Sequence, residues 1–562
     1  MVQETTDFAH PYHCLFVIAE LGSGRTPSLP SLLAVEPVVS LELCNHNPGT
    51  RGGSFPESGV TQVDAPLAPP AQEREVASST AAAAGVPSLR TMVRRGALWS
   101  IAGYGSSQAL RFAGNLLLTR LLVPEAFGLM ALVNALQQGL QLFSDVGIGP
   151  SIIQGRRGDD PAFLNTAWTV QALRGLALSC VAAAIALPFA AFYGDPVLAS
   201  ILAISGSTAL ISGFNSTRLF SMYRHVNLAP VSAIEIGSQA VGLATILAWA
   251  AFDRSVWALV AGGVGGSLAR MVLSHTILSG ISNRFCWDRG AFAQMLRFGR
   301  WIFLSTVLTF FVGQSDRLIF GKMVPLAMLG VYSVGALVAT MPAVALGRIM
   351  SSVFFPVYSR IQNSGQDLRP VFTRVRLPVL LVAGWMIAGL AGGGTAAVQL
   401  LYDQRYDQAG WIVQLLALAS WFTVLESTNA AALLARGQAY WTAANSAAKL
   451  LGMLALIPLG YALGGFPGAV AGLALSEVLK YAVSAFAVTR IGLKGWPQDL
   501  RLTGWVLVTA ALGRYSTSLA EHEGWARYTT AAFVFVAITL AWAPLGLSFL
   551  LKHLSNLRSG SR

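Results

Sequence analysis

The chain has 562 residues, of which 54% are hydrophobic and only 11% charged, with a formal net charge of +12. A soluble domain carries about 25% charged residues, and a mean hydropathy of +0.57 is more apolar side chain than one soluble core can hide. Repeated apolar runs of about 20 residues point instead to an all-α polytopic membrane protein, and the period-2 alternation of an outer-membrane barrel is missing. The positive charges lie in short loops between apolar runs, which speaks for membrane topology and against nucleic-acid binding. Cys14, Cys44, Cys180 and Cys286 have no metal or redox spacing, and the seven His do not cluster, so neither a disulfide framework nor a metal site is expected.

Residues 1–90 are rich in Pro, Gly, Ser and Ala, as in GTRGGSFPESG and DAPLAPPAQ. This extension reads either as disordered or as a misassigned start, since Met92-Val-Arg-Arg would be a natural beginning. The run Cys14–Ala19 is too short to span, and no Lys or Arg precedes Arg25, which argues against a secretory signal. From Gly96 the apolar runs predict about 14 spans, near 97–120, 127–149, 167–191, 197–215, 230–252, 256–279, 299–321, 327–355, 376–401, 411–434, 441–463, 466–488, 502–519 and 529–551. With both termini in the cytoplasm, 22 Lys and Arg fall in cytoplasmic loops, Arg224 and Arg376 among them; the opposite loops hold five, Arg120, Arg254, Lys322, Arg405 and Arg527. That bias fixes the expected orientation.

Trp99–Gly128 can be laid on Trp301–Gly330, with Asn115 falling on Asp316 and Val123-Pro124 on Val324-Pro325. Residues 255–270 match 465–480, pairing Arg270 with Lys480. The first six spans therefore resemble the second six in the same direction, a parallel repeat about an axis along the membrane normal. The expected organisation is an N-terminal lobe over 96–280, a cytoplasmic linker over 281–300, a C-terminal lobe over 301–490, two further helices over 500–552 and a cytoplasmic tail over 553–562. Two such lobes suggest a central pathway and alternating access.

Ionisable residues inside spans are functional candidates by default. They lean cationic: Arg111, Arg174, Arg270, Arg317, Arg348 and Lys449, against Asp145, Glu235, Asp316, Glu426 and Glu477. Arg174, Arg270 and Lys480 are near enough to the cytoplasmic face to snorkel, and Glu477 and Lys480 are spaced for a local pair. Arg111 lies roughly 13 Å from either end of its run, at about 1.5 Å per residue, so its head must meet a polar cavity or a carboxylate. An arginine-bearing cavity suits an anion, because guanidinium binds phosphate bidentately. Asp145, close to its helix end, reads as a gate or cap residue. There is no GxxxxGK[ST], HExxH or GxSxG, and no long loop to hold a catalytic domain, so no catalytic residues are expected.

NLLLTRLLVPEAFGLMAL, then FSDVGIGPSIIQ and TAW, resembles the polysaccharide transporter branch of the MOP exporter superfamily, the Wzx-type oligosaccharide flippases. Residues 255–262 fit loosely, with Ser255 where a Gly is common. The resemblance covers about residues 93–490 and implies a MOP fold of two six-helix lobes related by a pseudo-two-fold, plus two C-terminal helices. It implies a flippase of the bacterial inner membrane that moves polyprenyl-diphosphate-linked oligosaccharide across the bilayer for exopolysaccharide, capsule or O-antigen synthesis. On that footing Arg111, with Asn115, Arg317 and Arg348, are the candidate substrate contacts. Asp145, Glu235, Asp316 and Glu426 are the candidates for a coupling Na⁺ or H⁺, and no other cofactor is expected. A polysaccharide polymerase and chain-length proteins are candidate partners. The rival readings are a lipid II flippase, a MATE-like antiporter and a membrane-embedded glycan polymerase or ligase.

Overall fold

The computed structural model describes residues 89–559 except Gly524, so the expectation for 1–90 falls outside the described residues but for Leu89 and Arg90. Among the described residues the chain is helical throughout, with no strands. Helices α1 (Leu89–Leu121), α2 (Pro124–Phe143), α3 (Ile148–Gln154), α4 (Pro161–Tyr193), α5 (Val197–Gly213), α6 (Arg218–Arg224), α7 (Ala229–Ala250) and α8 (Val256–Thr276) form the first lobe. The second comprises α9 (Arg289–Met323), α10 (Leu326–Ile349), α11 (Phe355–Asn363), α12 (Arg369–Leu401), α13 (Ala409–Ala435) and α14 (Tyr440–Arg490). Helices α15 (Trp496–His522) and α16 (Arg527–Ser559) follow.

Every predicted span coincides with a helical segment once α14 is counted as two. That 51-residue element breaks at Gly464 (φ −146°, ψ 22°) and Gly465 (φ 59°, ψ −148°), and the second conformation is open to glycine alone without strain. Among the described residues, eight helices are individually long and apolar enough to cross a bilayer, α14 being one. The starts carry the expected chemistry. Asp160 accepts a hydrogen bond from the Ala162 amide at 3.0 Å and Pro161 follows it; Ser255 and Asp288 cap α8 and α9 in the same way, and Pro124 opens α2. Helix α9 runs back to Arg289, so much of the segment expected as linker is its first turns.

The lobes meet where α2 crosses α10. A Cβ on Gly128 would lie 2.0 Å from the Leu326 carbonyl oxygen, and one on Gly330 would lie 1.9 Å from that of Pro124. Each glycine admits the other helix's backbone, as small residues do where helices associate in lipid. Around this crossing one continuous apolar core draws on both lobes, including Leu118, Leu132, Leu329, Ala339 and Ile412. Further contacts close the same end. The Tyr402 hydroxyl donates to Asn115 Oδ1 at 3.2 Å, Arg405 donates to the carbonyls of Leu122 and Arg120 at 3.5 and 3.2 Å, and Tyr193 donates to the Leu318 carbonyl at 3.1 Å.

Helices α15 and α16 dock on the second lobe through α12. Gly392 faces Gly513, the Trp542 ring lies against Gly384, and the Trp421 indole donates to Thr503 at 2.8 Å. At the cytoplasm-facing end of this junction, as the charge bias predicts it, Arg376 is fully buried and ion-pairs with Asp499. Asp499 also accepts from the Tyr481 hydroxyl at 2.8 Å, and Arg376 donates to Asn429 at 3.2 Å.

Candidate functional site

A cavity of about 890 Å³ opens inside the first lobe, lined from α1 through α8 and, among the described residues, by none of the second lobe. Its walls come close because the helices are built from small residues: Gly242 of α7 lies against Gly262 and Gly266 of α8, and Gly175 of α4 against Gly213 of α5. Arg111, Arg174 and Arg270 reach it, with Asp145 and Glu235, so three cationic groups face two carboxylates.

Arg111 is half-buried; its Nη2 donates to Ser107 Oγ at 3.3 Å, while its Nε is buried with no partner. The Ser107 hydroxyl also accepts from Gln239 Nε2 at 2.7 Å, and that amide nitrogen donates to Glu235 Oε1 at 3.2 Å. Arg270 stands 4.0 Å from the other Glu235 oxygen. The result is a relay from Arg111 through Ser107 and Gln239 to Glu235 and Arg270. Ser205 Oγ, Asn215 Oδ1 and Gln239 Oε1 also line the cavity and, with Arg111 Nε, are buried without hydrogen-bond partners. Buried polar groups left unpaired are costly in a membrane interior, so this set is complementary to a polar, anionic ligand.

The other predicted residues separate. Arg174, expected to snorkel, turns across the lobe and donates to Ser144 Oγ at 2.9 Å and to the Gln141 carbonyl at 2.5 Å. Asp145 accepts from the Gly147 amide at 2.9 Å, in the turn between α2 and α3 where Gly147 holds φ 70°. Asn115 lies outside the cavity wall, in the contact to Tyr402 that joins the lobes. Asp316 accepts from the Tyr332 hydroxyl at 2.5 Å, and Arg317 donates to Gln314 Oε1 at 2.7 Å; both belong to the second lobe and away from the cavity lining. Arg348 is on α10, and its side chain lies outside the described residues.

Glu426 belongs to a second buried cluster, in the other lobe. It pairs with Lys480 at 2.9 Å and accepts from Asn445 at 3.2 Å, while Lys449 pairs with Glu477 at 2.5 Å. Lys480 thus reaches across to α13 instead of snorkelling, and Glu477 bonds Lys449 of the neighbouring half-helix instead of its i,i+3 neighbour.

Sequence reasoning missed Arg376, which it counted among loop cations. It also placed Arg224 in a loop without a role; the guanidinium caps the end of α3, donating to the carbonyls of Ile152, Ile153 and Gly155 at 2.8–3.0 Å. At the same end Arg157 bonds both Asp160 at 2.6 Å and Asp288 at 2.8 Å, tying α4 to the start of α9. These hydrogen bonds hold both carboxyls below the usual carboxylate range.

Two helical lobes joined at one crossing define a multi-pass membrane protein with the MOP fold. The lipid II flippase MurJ in its inward closed conformation superposes with a TM-score of 0.62 at 13% identity, over 81% of this chain and 99% of that one. An inward-facing multidrug resistance MATE family transporter of the MOP superfamily gives a TM-score of 0.53 at 12% identity, over 71% and 96%. Residues 117–411 match the family described as polysaccharide biosynthesis protein, and the chain belongs to that family. Among its relatives, the teichuronic acid biosynthesis protein TuaB of Bacillus subtilis (strain 168) is 22% identical, over 73% of this chain and 85% of TuaB. The lipopolysaccharide biosynthesis protein WzxC of Escherichia coli (strain K12) is 20% identical, over 72% and 82%.

Proposed function

We propose that this protein is a flippase that carries polyprenyl-diphosphate-linked oligosaccharide units from the cytoplasmic to the outer face of a bacterial inner membrane, for assembly of a surface polysaccharide. The observation that carries the reading is Arg111: a guanidinium at mid-span, facing a cavity with an excess of cationic groups, its Nε unpartnered. A diphosphate offers the oxygens that such a group lacks, and sugar hydroxyls match the unpaired Ser205, Asn215 and Gln239 atoms. Family membership and the names of TuaB, WzxC and MurJ point the same way. The bias of basic residues supports a cytoplasmic position for the cavity's α3 end and for both termini, and rocking at the α2–α10 crossing would open the opposite face. The delivered unit would then pass to a polymerase and chain-length proteins.

An ion gradient supplies the drive in this scheme, with Na⁺ or H⁺ as the candidates. Of the four carboxylates considered, Asp145 is committed to its turn, Asp316 to Tyr332 and Glu426 to Lys480. Glu235 stands in the cavity within reach of Arg270 and is our choice for the coupling group.

The test is export in cells whose chromosomal copy is deleted. Arg111→Ala at normal protein level is expected to abolish polysaccharide export and to leave lipid-linked units on the inner face, with Arg111→Lys restoring part of it. Full export by Arg111→Ala would sink the assignment.

A further inference from the structure

The end of the molecule that closes around Pro124 is poor in positive charge, which makes the distribution of its few cations informative. Lys322 donates to the Phe192 carbonyl at 2.5 Å and sits over that ring at 4.8 Å. Arg405 is held by Asp403 at 2.8 Å and by two carbonyls of α1. Arg120, Arg254 and Arg527 make no ion pair or side-chain hydrogen bond among the described residues. Arg120 and Arg527, 407 positions apart in the sequence, line one pocket of about 420 Å³ with Gln399, Tyr402, Asp403 and Tyr528.

The pocket's one carboxylate does not cancel that charge. Asp403 is spent on Arg405, whose hydrogen bond holds its carboxyl below the usual range, so Arg120 and Arg527 face the pocket uncompensated. Its surroundings place it at a membrane–water boundary. Tyr528 and Trp525 are 76% and 47% exposed, the residue types that settle at headgroup depth. Arg120 ends α1 and Arg527 begins α16, so first lobe, second lobe and the added helix pair all contribute to its wall.

We propose that this pocket is a second anion site, separate from the Arg111 cavity, which takes a phosphate mono- or diester at headgroup depth. The two guanidiniums chelate the phosphoryl oxygens, and Tyr402 and Tyr528 offer hydroxyls or ring faces to what the phosphate carries. An occupant bridges α1, α12 and α16. It therefore favours the arrangement in which Tyr402 bonds Asn115 and this end is shut.

The test uses the full-length protein in a background with its native cysteines replaced by serine, carrying a bimane on Leu400→Cys in the pocket wall. In detergent, inorganic phosphate is titrated; in nanodiscs, lipids doxyl-labelled near the headgroup, phosphatidylglycerol or phosphatidylcholine, are the quenchers. Wild-type protein is expected to show saturable quenching by phosphatidylglycerol at several-fold lower mole fraction than by phosphatidylcholine. Each of Arg120→Gln and Arg527→Gln should weaken this about fivefold, the scale of one partly exposed charge pair, while Arg254→Gln should leave it unchanged. A saturable response to inorganic phosphate as well makes a free phosphate ester an equal occupant; a response to phosphatidylglycerol alone makes the occupant a lipid headgroup. Equal quenching by both lipids with no phosphate response, or a full response in Arg120→Gln/Arg527→Gln, overturns the proposal. Because the readout is binding at this pocket, its outcome is independent of polysaccharide export and of Arg111.

Discussion

Helices α7 and α8 of the first lobe and the two halves of α14 in the second are the same helix pair used twice. At a shift of 210 residues Gly242 falls on Gly452, Gly262 on Gly472 and Gly266 on Ser476. The packing repeats as well: Gly242 abuts Gly262 and Gly266, and Gly452 abuts Ser476. The charges do not repeat. Glu235 and Gln239 of the first lobe become Asn445 and Lys449 in the second, while Ser267 becomes Glu477 and Arg270 becomes Lys480. In the second lobe Lys449 and Lys480 each face a carboxylate within 3 Å, at 2.5 and 2.9 Å. In the first, Arg270 is 4.0 Å from Glu235, and Arg111 has a nitrogen with no acceptor. One scaffold has thus been filled with internal counterions on one side and left with an unmet demand for anions on the other.

That contrast can be broken by experiment, and the largest effect is expected in the second lobe. Arg376→Met leaves Asp499 buried without its partner, and breaking such a pair costs about 3–5 kcal/mol; a large fall in thermal midpoint and in yield of monodisperse protein is expected. Arg376→Met/Asp499→Leu should recover most of it, since apolar replacements of a buried pair are often neutral. Lys449→Met comes next, at about 2–3 kcal/mol, because Lys449 and Glu477 keep 15% and 12% exposure and part of their solvation. A double cycle with Glu477→Gln in thermal unfolding measures the coupling. If these substitutions prove harmless, the second lobe is not held by its charges and the comparison fails.

Gly128→Val adds side-chain atoms against the Leu326 carbonyl, an overpacking cost of about 1–3 kcal/mol. Its sharper reading is geometric: the disulfide yield between cysteines placed at Asn115 and Tyr402 should fall as the lobes part at that end. Arg111→Ala, by contrast, should shift the melting midpoint by the equivalent of about 1 kcal/mol or less, although export is lost. Activity and stability are then expected to divide between the lobes. The smallest effect belongs to the Arg157 tether. Asp160 and Asp288 have depressed pKa values in the folded protein. Their contribution is therefore fully present above the unfolded value near about 4. It fades as pH falls through the lower folded values, so proteolysis between α8 and α9 should quicken only in acid.

The spans, the two lobes and the repeat were legible because a bilayer imposes a length and a hydropathy on each segment, and Trp99–Gly128 against Trp301–Gly330 preserves its Pro and Gly positions. Arg111 stood out for the same reason: depth follows from place in an apolar run. Partners did not follow from it. Lys449 bonds Glu477 across the Gly464–Gly465 break, and Arg376 finds Asp499 after 123 residues, because tertiary packing sets those pairs. Sequence spacing instead favoured Glu477 with Lys480, and the charge count took Arg376 as a loop cation. The cavity's confinement to one lobe was equally hidden, since Arg111 and Arg317 differ in surroundings and not in depth.

The reciprocal glycines at the α2–α10 crossing bear on how a duplicated protein can change. Gly128 is read by the backbone of the second half and Gly330 by that of the first, so neither half owns its own fit. A larger residue at either position has no small neighbour to trim in compensation, because what it meets is main chain. The two copies were therefore free to diverge in charge, one toward an open cationic cavity and one toward self-neutralisation, while remaining bound to a shared inheritance at the crossing.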